Sequence, residues 1–195
     1  SIVLEFVAGG ELTTYLEGFE YAEGDAKGLE NATLLSIGIG IVKGVHHIHL
    51  KEMIHRDLKP QNVLLDVSNE SQPPIPKIAD FGESRDEDKS MTMTYVGTPF
   101  YIAPEVFRGE RYSASADIFS LGIVLNQIDT LQSPGTGVNF QAANRKEPGS
   151  FRPLIREGVP ASILSVLKAC TKYDGGPVHG SEGDLTYGRP SIDSL

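Results

Sequence analysis

The sequence predicts a mainly α-helical fold with a few short β-strands. Residues 31–50 carry apolar side chains at helical spacing, and residues 115–131 are apolar on almost every side of a helix. Two short aliphatic runs, residues 62–67 and 77–80, flank a loop rich in Pro, Ser and Asn, which is typical of a turn between strands. With 195 residues and 39% apolar content, the chain is long enough to form one globular domain with its own core.

Each element is predicted from its own pattern. The apolar residues between positions 3 and 7 in "SIVLEFVAGGEL" predict a buried strand that ends at the two glycines. Asn31 is the predicted N-cap of the helix that follows. The apolar stripe of this helix consists of Leu34, Leu35, Ile41, Val42, Val45 and Ile48.

The second half of the chain alternates helices and loops. The helix over 115–131 is expected to be buried all round, and "ASILSVLKAC" (residues 161–170) is a short amphipathic helix. Residues 133–150 and 173–188 are rich in Gly, Pro and polar residues and predict loops.

Charge and cysteine content exclude several classes of protein. The formal charge is −9 and there is no long block of Lys and Arg, which argues against a nucleic-acid binder. No apolar stretch is long enough to span a bilayer, so the chain has no expected membrane segment. Because Cys170 is the only cysteine, no internal disulfide is possible, which favours a reducing compartment such as the cytoplasm.

Residues 55–62, "HRDLKPQN", concentrate groups that suit phosphoryl transfer. Asp57 and Asn62 are five positions apart with Lys59 between them, and Pro60 prevents a plain helix. Asp80 follows in "DFG", and Asn62 and Asp80 together offer oxygen ligands for Mg²⁺. Asp57 is then a candidate proton acceptor, and Lys59 balances phosphate charge. The alternative is that these Asp and Asn residues only form turns.

Three motifs occur in the order and rough spacing of the protein kinase signature set: "HRDLKPQN", "DFG" and "GTPFYIAPE", the last ending at Glu105. On these motifs the whole chain, residues 1–195, resembles the C-terminal lobe of a eukaryotic protein kinase. The resemblance implies a protein-kinase-like fold in which residues 1–11 are the last small-lobe strand and the hinge, and residues 12–195 form the helical lobe. It also implies ATP and Mg²⁺ as cofactors.

The resemblance assigns nucleotide contacts to the start of the chain. Leu4 would be the gatekeeper, the backbone of Glu5 and Val7 would meet the adenine, Glu11 would reach the ribose, and Leu64 would form the floor of the pocket. The Gly-rich loop, the strand-three Lys and its Glu partner would lie before residue 1. The chain is therefore expected to be a partial kinase domain that is inactive without its small lobe.

The same resemblance implies a preference for Ser and Thr hydroxyls in protein substrates. Lys59 stands two residues after Asp57, as in Ser/Thr kinases, and Thr98 resembles the Thr that contacts the catalytic Asp and Lys. The phrases "VGTPFYIAPEVF" and "ADIFSLGIVL" resemble the tyrosine-kinase-like group of Ser/Thr kinases.

Structural and regulatory residues are also implied. Glu105 would pair with Arg189, and Asp117 would accept hydrogen bonds from the backbone around His55 and Arg56. Arg56 precedes Asp57, an arrangement that in kinases accompanies phosphorylation of the activation loop by an upstream kinase. The candidate sites are Thr94, then Ser90 and Thr92.

Two other classes of function stay open at this point. One is a pseudokinase that only binds or scaffolds, although Asp57, Asn62 and Asp80 are all intact. The other is a free-standing lobe that serves as an interaction module. The histidines at positions 46, 47 and 49 are expected to pack and not to bind a metal, because neighbouring residues on a helix point in different directions.

Overall fold

A computed structural model describes residues 4–20, 28, 31–80, 99–107, 109, 113–135, 155–172 and 189–195. Within these residues the fold is mainly helical, as predicted. The helices are α1 (Leu12–Glu20), α2 (Ala32–His49), α3 (Pro104–Phe107), α4 (Ser115–Thr130) and α5 (Ala161–Cys170). The strands are β1 (Val63–Asp66) and β2 (Ile75–Ile78), and short 3-10 turns cover Pro60–Asn62, Pro99–Tyr101 and Ile192–Ser194.

Helix α2 begins and ends close to the predicted bounds. Asn31 caps it by accepting a hydrogen bond from the Thr33 N–H at 2.9 Å. Its buried face is formed by Leu34, Ile37, Gly38, Ile41, Val45 and Ile48. The prediction that Leu35 belongs to this face is wrong: Leu35 is exposed, because it lies one position out of phase with the buried row.

Strands β1 and β2 form an antiparallel hairpin in which Val63 pairs with Ile78 and Asp66 pairs with Ile75. Strand β2 begins two residues earlier than predicted. The hairpin packs on α2 at two glycines. A Cβ at Gly40 would lie 2.5 Å from the Pro76 ring, and a Cβ at Gly44 would lie 2.8 Å from Ile78 Cδ1. These two positions therefore need glycine for the close approach.

Helix α4 is the centre of the core, and its residues from Ser115 to Asp129 are all buried. The prediction of a helix buried all round is thus confirmed. Helix α5 packs against it at Gly122, where an added Cβ would lie 2.6 Å from Cys170 Cβ. Within α4, the Ser120 hydroxyl donates a hydrogen bond to the Tyr101 carbonyl at 2.7 Å.

The prediction of a buried strand at the start of the chain is wrong for the described residues. Residues 4–7 are not in a strand, and 82% of Leu4 and 89% of Phe6 are exposed. Pairing begins only at Gly9, whose N–H donates to the Leu65 carbonyl at 2.9 Å. Among the described residues, no strand lies beside residues 4–7 to complete a ladder, so Leu4 and Phe6 stay exposed.

Helix α1 was not predicted. It follows Glu11 directly and buries Leu12 and Leu16, which are four positions apart on one face. Tyr15 and Phe19 make an edge-to-face ring contact at 5.3 Å on the same side. The loops predicted at 133–150 and 173–188 lie outside the described residues except for 133–135, which form a turn. No helix in the described ranges is long and apolar enough to cross a membrane.

Candidate active site

The turn before β1 brings three predicted site residues together. Lys59 Nζ lies 2.6 Å from Asp57 Oδ2, and Asn62 Nδ2 donates to the same oxygen at 2.9 Å. The Asn62 side chain also donates to the Asp57 backbone carbonyl at 2.7 Å. Pro60 starts the 3-10 turn that brings Asn62 back over Asp57. Both side-chain contacts fall on the same carboxylate oxygen, Oδ2.

The orientation of Asn62 follows from the same bonds. Because its Nδ2 is used by Asp57, its amide oxygen points to the other side, where it can act as a ligand. The Asn62 backbone carbonyl accepts the N–H of Ala79 at 2.8 Å, which places Asp80 directly beyond this contact. Asp80 is exposed and has a left-handed backbone with φ of 64°.

The side chains of Asn62 and Asp80 therefore fit a hard cation. An amide oxygen and a carboxylate are the ligand types that Mg²⁺ prefers, with the remaining positions filled by water or phosphate. The left-handed backbone at Asp80 is tolerated more readily by Asp than by most residues, because a short polar side chain can bond locally. The residues present are thus compatible with the metal that the sequence predicts.

His55 connects the turn that carries Asp57 to the backbone that precedes Asp80. Its ring Nε2 lies 3.0 Å from the Ala79 carbonyl oxygen, so Ala79 is bound on its N–H side by Asn62 and on its carbonyl side by His55. The side chain of His55 is fully buried. The backbone of Ala79, which directly precedes Asp80, is therefore held by hydrogen bonds at both its N–H and its carbonyl group.

Asp117, at the start of α4, binds the backbone that precedes Asp57. Its carboxylate accepts the His55 N–H at 2.8 Å and the Arg56 N–H at 2.9 Å. A third contact comes from His49 Nε2, 3.0 Å from Asp117 Oδ2. Hydrogen bonds offset the cost of burying this carboxylate, whose side chain is only 1% exposed.

The role of His49 could not be derived from the sequence pattern alone. Three neighbouring histidines look alike in sequence, and the structure separates them by partner. His46 Nε2 lies 2.9 Å from Asp193 at the surface, whereas His49 contacts the buried Asp117. No group of three or more metal-binding side chains occurs in the described ranges.

Of the residues expected to contact a nucleotide, Glu11 and Leu64 lie side by side at β1. Glu11 forms a bridge with Leu64, and the Leu65 N–H donates to the Gly10 carbonyl at 2.9 Å. Leu64 and Val7 are half-buried, and Glu5 is exposed. Leu4, the expected gatekeeper, is exposed as well. The structure thus brings Glu11 and Leu64 next to each other beside the Asp57 turn.

A buried ion pair ties the far side of the site to the helical core. Arg189 donates from Nη1 to Glu105 Oε1 at 2.5 Å and from Nη2 to Glu105 Oε2 at 2.7 Å. The guanidinium also donates to the backbone carbonyls of Ser115 and Lys172, each at 2.9 Å. Its carbon lies 5.1 Å from the centre of the Phe119 ring.

Tyr101 anchors the segment that precedes α3. Its hydroxyl donates to Gln127 Oε1 at 2.5 Å, and Ser120 donates to its carbonyl. Burial raises the pKa of the Tyr101 hydroxyl well above its usual value, so this group stays a donor at every physiological pH. Thr98, Ser90, Thr92 and Thr94 lie outside the described residues.

Two further ion-pair groups were missed by sequence reasoning. Arg156 binds both oxygens of the buried Asp129 at 2.9 and 3.0 Å. Lys77 Nζ lies 2.6 Å from Glu5 Oε1 and 2.9 Å from Asp66 Oδ2. Nothing in a local pattern marks these pairs, because each joins segments that meet only in the folded chain.

Comparison with known proteins gives one consistent result. The family model for the protein kinase domain matches residues 1–173. Serine/threonine-protein kinase ATG1a of Arabidopsis thaliana is 39% identical over 140 residues, which are 71% of this chain and 21% of the plant protein. Serine/threonine-protein kinase Nek8 of Danio rerio is 36% identical over 155 residues, 78% of this chain and 21% of the fish protein.

A third relative shares the longest stretch of the three. The RasGEF domain-containing serine/threonine-protein kinase X of Dictyostelium discoideum is 31% identical over 179 residues, which are 89% of this chain and 17% of that protein. Two relatives from Acanthamoeba polyphaga mimivirus are matched over only 8% and 10% of their length. The chain therefore spans a small part of the curated relatives that it matches.

Proposed function

The chain belongs to the protein kinase family and is of its serine/threonine type, and we propose that it supplies the catalytic half of an ATP-dependent protein kinase. The proposed reaction moves the γ-phosphoryl group of ATP to a Ser or Thr hydroxyl of a protein substrate. In this proposal residues 1–11 are the segment that connects the small lobe to the large lobe and includes the hinge, and residues 12–195 form the large lobe.

The arrangement of Asp57 is the observation that carries the proposal. Lys59 and Asn62 both bind Oδ2, so the carboxylate is held in one orientation. The other oxygen, Oδ1, is proposed to accept the proton of an incoming hydroxyl. Orientation of the nucleophile and neutralisation of charge are what phosphoryl transfer mainly requires of a protein.

Lys59 has a second use in this scheme. Its ammonium group lies beside the carboxylate that is proposed to receive the proton, and it can stabilise the negative charge of the transferred phosphate. Asn62 and Asp80 would hold Mg²⁺, which when bound neutralises the phosphate oxygens of ATP. Thr98 is proposed to bond Asp57 and Lys59 and so to favour Ser and Thr substrates.

The nucleotide would lie on the edge formed by Glu11 and Leu64. The backbone of Glu5 and Val7 is proposed to bind the adenine, Glu11 to bind the ribose, and Leu64 to form the apolar floor. The pairing of residues 9–11 with β1 supports this placement, because it holds the segment close to the Asp57 turn. A substrate hydroxyl would approach from the exposed side of Asp57.

The decisive experiment neutralises single carboxylates without changing their shape. Asp57→Asn and Asp80→Asn are introduced separately into the full-length protein, and phosphate transfer to a Ser/Thr peptide is measured. We expect kcat to fall by about a hundredfold or more in both variants, as removal of a transition-state group does. Asp193→Asn, which alters an exposed carboxylate paired with His46, is the matched control and should leave kcat unchanged.

Two outcomes would reject the proposal. Near wild-type turnover in either Asp57→Asn or Asp80→Asn would show that the carboxylate is not catalytic. A wild-type protein that binds Mg·ATP but transfers no phosphate to any Ser/Thr peptide would favour the pseudokinase alternative. An interaction module would bind neither nucleotide nor peptide substrate.

Residues 1–195 on their own are proposed to bind Mg·ATP weakly and to be inactive. The proposed floor and hinge lie within the chain, but burial of a ligand normally requires a pocket that closes around it. Isothermal titration of the isolated chain with Mg·ATP tests this point. A micromolar dissociation constant would contradict it.

A further inference from the structure

Lys77 lies on the face of the hairpin that carries the proposed nucleotide floor. It pairs directly with Leu64 across the β1–β2 ladder, and side chains of directly paired residues lie on the same face of a sheet. Asp66 is two residues from Leu64 and shares this face. The opposite face, with Val63 and Leu65, is buried in the core.

The ammonium group of Lys77 bridges two segments that are distant in sequence, the one that contains Glu5 and strand β1. It lies 2.6 Å from Glu5 Oε1 and 2.9 Å from Asp66 Oδ2. Asp66 is itself oriented by the Ser68 N–H, which donates to its other oxygen at 3.0 Å. The Lys77 contact lowers the pKa of Asp66, and hydrogen bonds to the Glu5 and Asp66 carboxylates raise the pKa of Lys77, so Asp66 and Lys77 are both charged at neutral pH.

Within the described part of the chain, few other contacts position the segment that Lys77 reaches. Residues 4–7 are outside any strand, and the first backbone hydrogen bond to β1 is made by Gly9. Gly9 cannot be replaced without displacing the ladder, because a Cβ there would lie 2.2 Å from the Leu65 carbonyl oxygen. Among the described residues, the Glu5–Lys77 contact is the ion pair that ties residues 4–8 to the hairpin.

We propose that Lys77 is a positioning residue for the nucleotide: it holds Glu5, and with it the backbone of residues 5–7, beside Leu64. This inference rests on the proposed function insofar as it assigns adenine binding to that backbone. Lys77 does not touch the reacting atoms. Lys77 changes the fraction of molecules in which the hinge segment is in the binding position. It therefore affects nucleotide affinity and not the rate of phosphate transfer.

The expected effect is modest and measurable. A half-exposed ion pair shifts an equilibrium by about two- to fivefold. In the full-length protein, Lys77→Met should raise the dissociation constant of Mg·ADP by this factor, and the KM for ATP with it, while kcat stays unchanged. Amide hydrogen exchange of the peptide covering residues 4–11 should accelerate by a similar factor.

Variants of the partners separate positioning from a general loss of stability. Lys77→Arg should restore both readouts, because it keeps the charge. Glu5→Gln should reproduce the effect of Lys77→Met on residues 4–11, and the double variant should be no worse than Lys77→Met, since both substitutions remove the Glu5–Lys77 contact. Lys51→Met, which alters an exposed lysine in the turn after α2, is the matched control and should change neither readout.

The experiment has clear contrary outcomes. Unchanged exchange of residues 4–11 in Lys77→Met would overturn the proposal, and so would faster exchange with an unchanged dissociation constant for Mg·ADP. Additive effects of Lys77→Met and Glu5→Gln would also overturn it, because the two residues would then act separately. A protein that shows the expected shifts but transfers no phosphate would retain the positioning role and lose the kinase function proposed above.

Discussion

Arg189 and Glu105 form a two-bonded ion pair in which both side chains have 0% of their surface exposed. The two residues are 84 positions apart, and their contact joins α3 to the end of the chain. Removal of one member would leave a buried charge without compensation, which is more costly than removal of both.

Arg189→Met should therefore lower the free energy of unfolding of the kinase domain by about 3–5 kcal/mol. Urea unfolding followed by circular dichroism measures the change. The double variant Glu105→Met/Arg189→Met should be less destabilised than the sum of the two single variants, because it leaves no unpaired charge. Lys168→Met, on the exposed side of α5, serves as the control; a loss for Arg189→Met no larger than in this control would contradict the prediction.

The contact between α4 and α5 at Gly122 predicts a steric effect. Gly122→Ala would place a Cβ 2.6 Å from Cys170 Cβ and 3.0 Å from Thr171 Cγ2, so the helices would have to separate. We expect a loss of roughly 1–3 kcal/mol in unfolding free energy. The matched control is Gly18→Ala in α1, where nothing lies within 4 Å of the added Cβ.

The two substitutions are expected to change the free energy of unfolding in opposite directions. At an open position within a helix, Ala is favoured over Gly by up to about 1 kcal/mol. Gly18→Ala should thus stabilise the domain while Gly122→Ala destabilises it. Equal effects of the two substitutions on the urea midpoint would show that the helices do not approach as closely as described.

The thiol of Cys170 is predicted to be inert in the folded protein. Burial raises its pKa to about 12 from the usual 9, and the nearby positive charge of Arg189 lowers it by less. Only the thiolate reacts with alkylating reagents. Labelling by iodoacetamide, followed by mass spectrometry, should be absent under native conditions and rapid in urea; rapid labelling of the folded protein would refute the prediction.

The same pKa shift predicts a dependence of stability on pH. Because the folded-state pKa is raised, the stabilising contribution of Cys170 is complete below pH 9 and is lost as the pH rises toward 12. The fall in unfolding free energy between about pH 8 and about pH 10.5 should be smaller in Cys170→Ala than in the wild-type domain. An identical fall in both would show that this thiol does not contribute.

Phosphorylation of Thr94 is predicted to activate the full-length kinase. A phosphate adds about −1.5 to −2 charges and strong acceptors that Arg56 can engage. Thr94→Ala should lower activity after incubation with ATP by about ten- to a hundredfold, since one charge-assisted hydrogen bond contributes about 1.5–3 kcal/mol. Ser90 and Thr92 are the next candidates, to be replaced in the same way.

Phosphatase treatment supplies the control for this prediction. It should reduce the activity of the wild-type protein to that of Thr94→Ala and leave the variant unchanged. If wild type and variant are equally active, and treatment of wild type has no effect, Thr94 is not the switch.

The long periodic elements could be predicted from sequence because their burial follows a simple period. Helices α2 and α4 each repeat apolar residues over more than four turns, which leaves little room for another conformation. Strand β2 begins at Ile75, two residues before the predicted start, and so includes Pro76, a residue type that is disfavoured inside strands. Pro76 is tolerated because β2 is an edge strand, paired only with β1 among the described residues, and so need not donate each N–H.

The contacts of the site depend on distant partners, and that limits what sequence alone can predict. The motif predicted which segment holds Asp57, Lys59 and Asn62, and all three lie within one turn of chain. His49 contacts a residue that is 68 positions away in sequence, and Lys77 contacts one that is 72 positions away. Their roles therefore depend on helix phase and strand register. The exposure of Leu4 and Phe6 likewise depends on what lies beside them, which no local pattern records.

The hydrogen bonds at Ala79 and Tyr101 also bear on how such a chain can vary during evolution. Ala79 is bound by Asn62 and His55, and Tyr101 is bound by Ser120 and Gln127, so each end of residues 80–100 is attached independently to the core. Substitutions between these ends do not have to preserve the attachments. Related genes can therefore diverge at residues 81–97, between the proposed site residues Asp80 and Thr98, without disturbing either attachment.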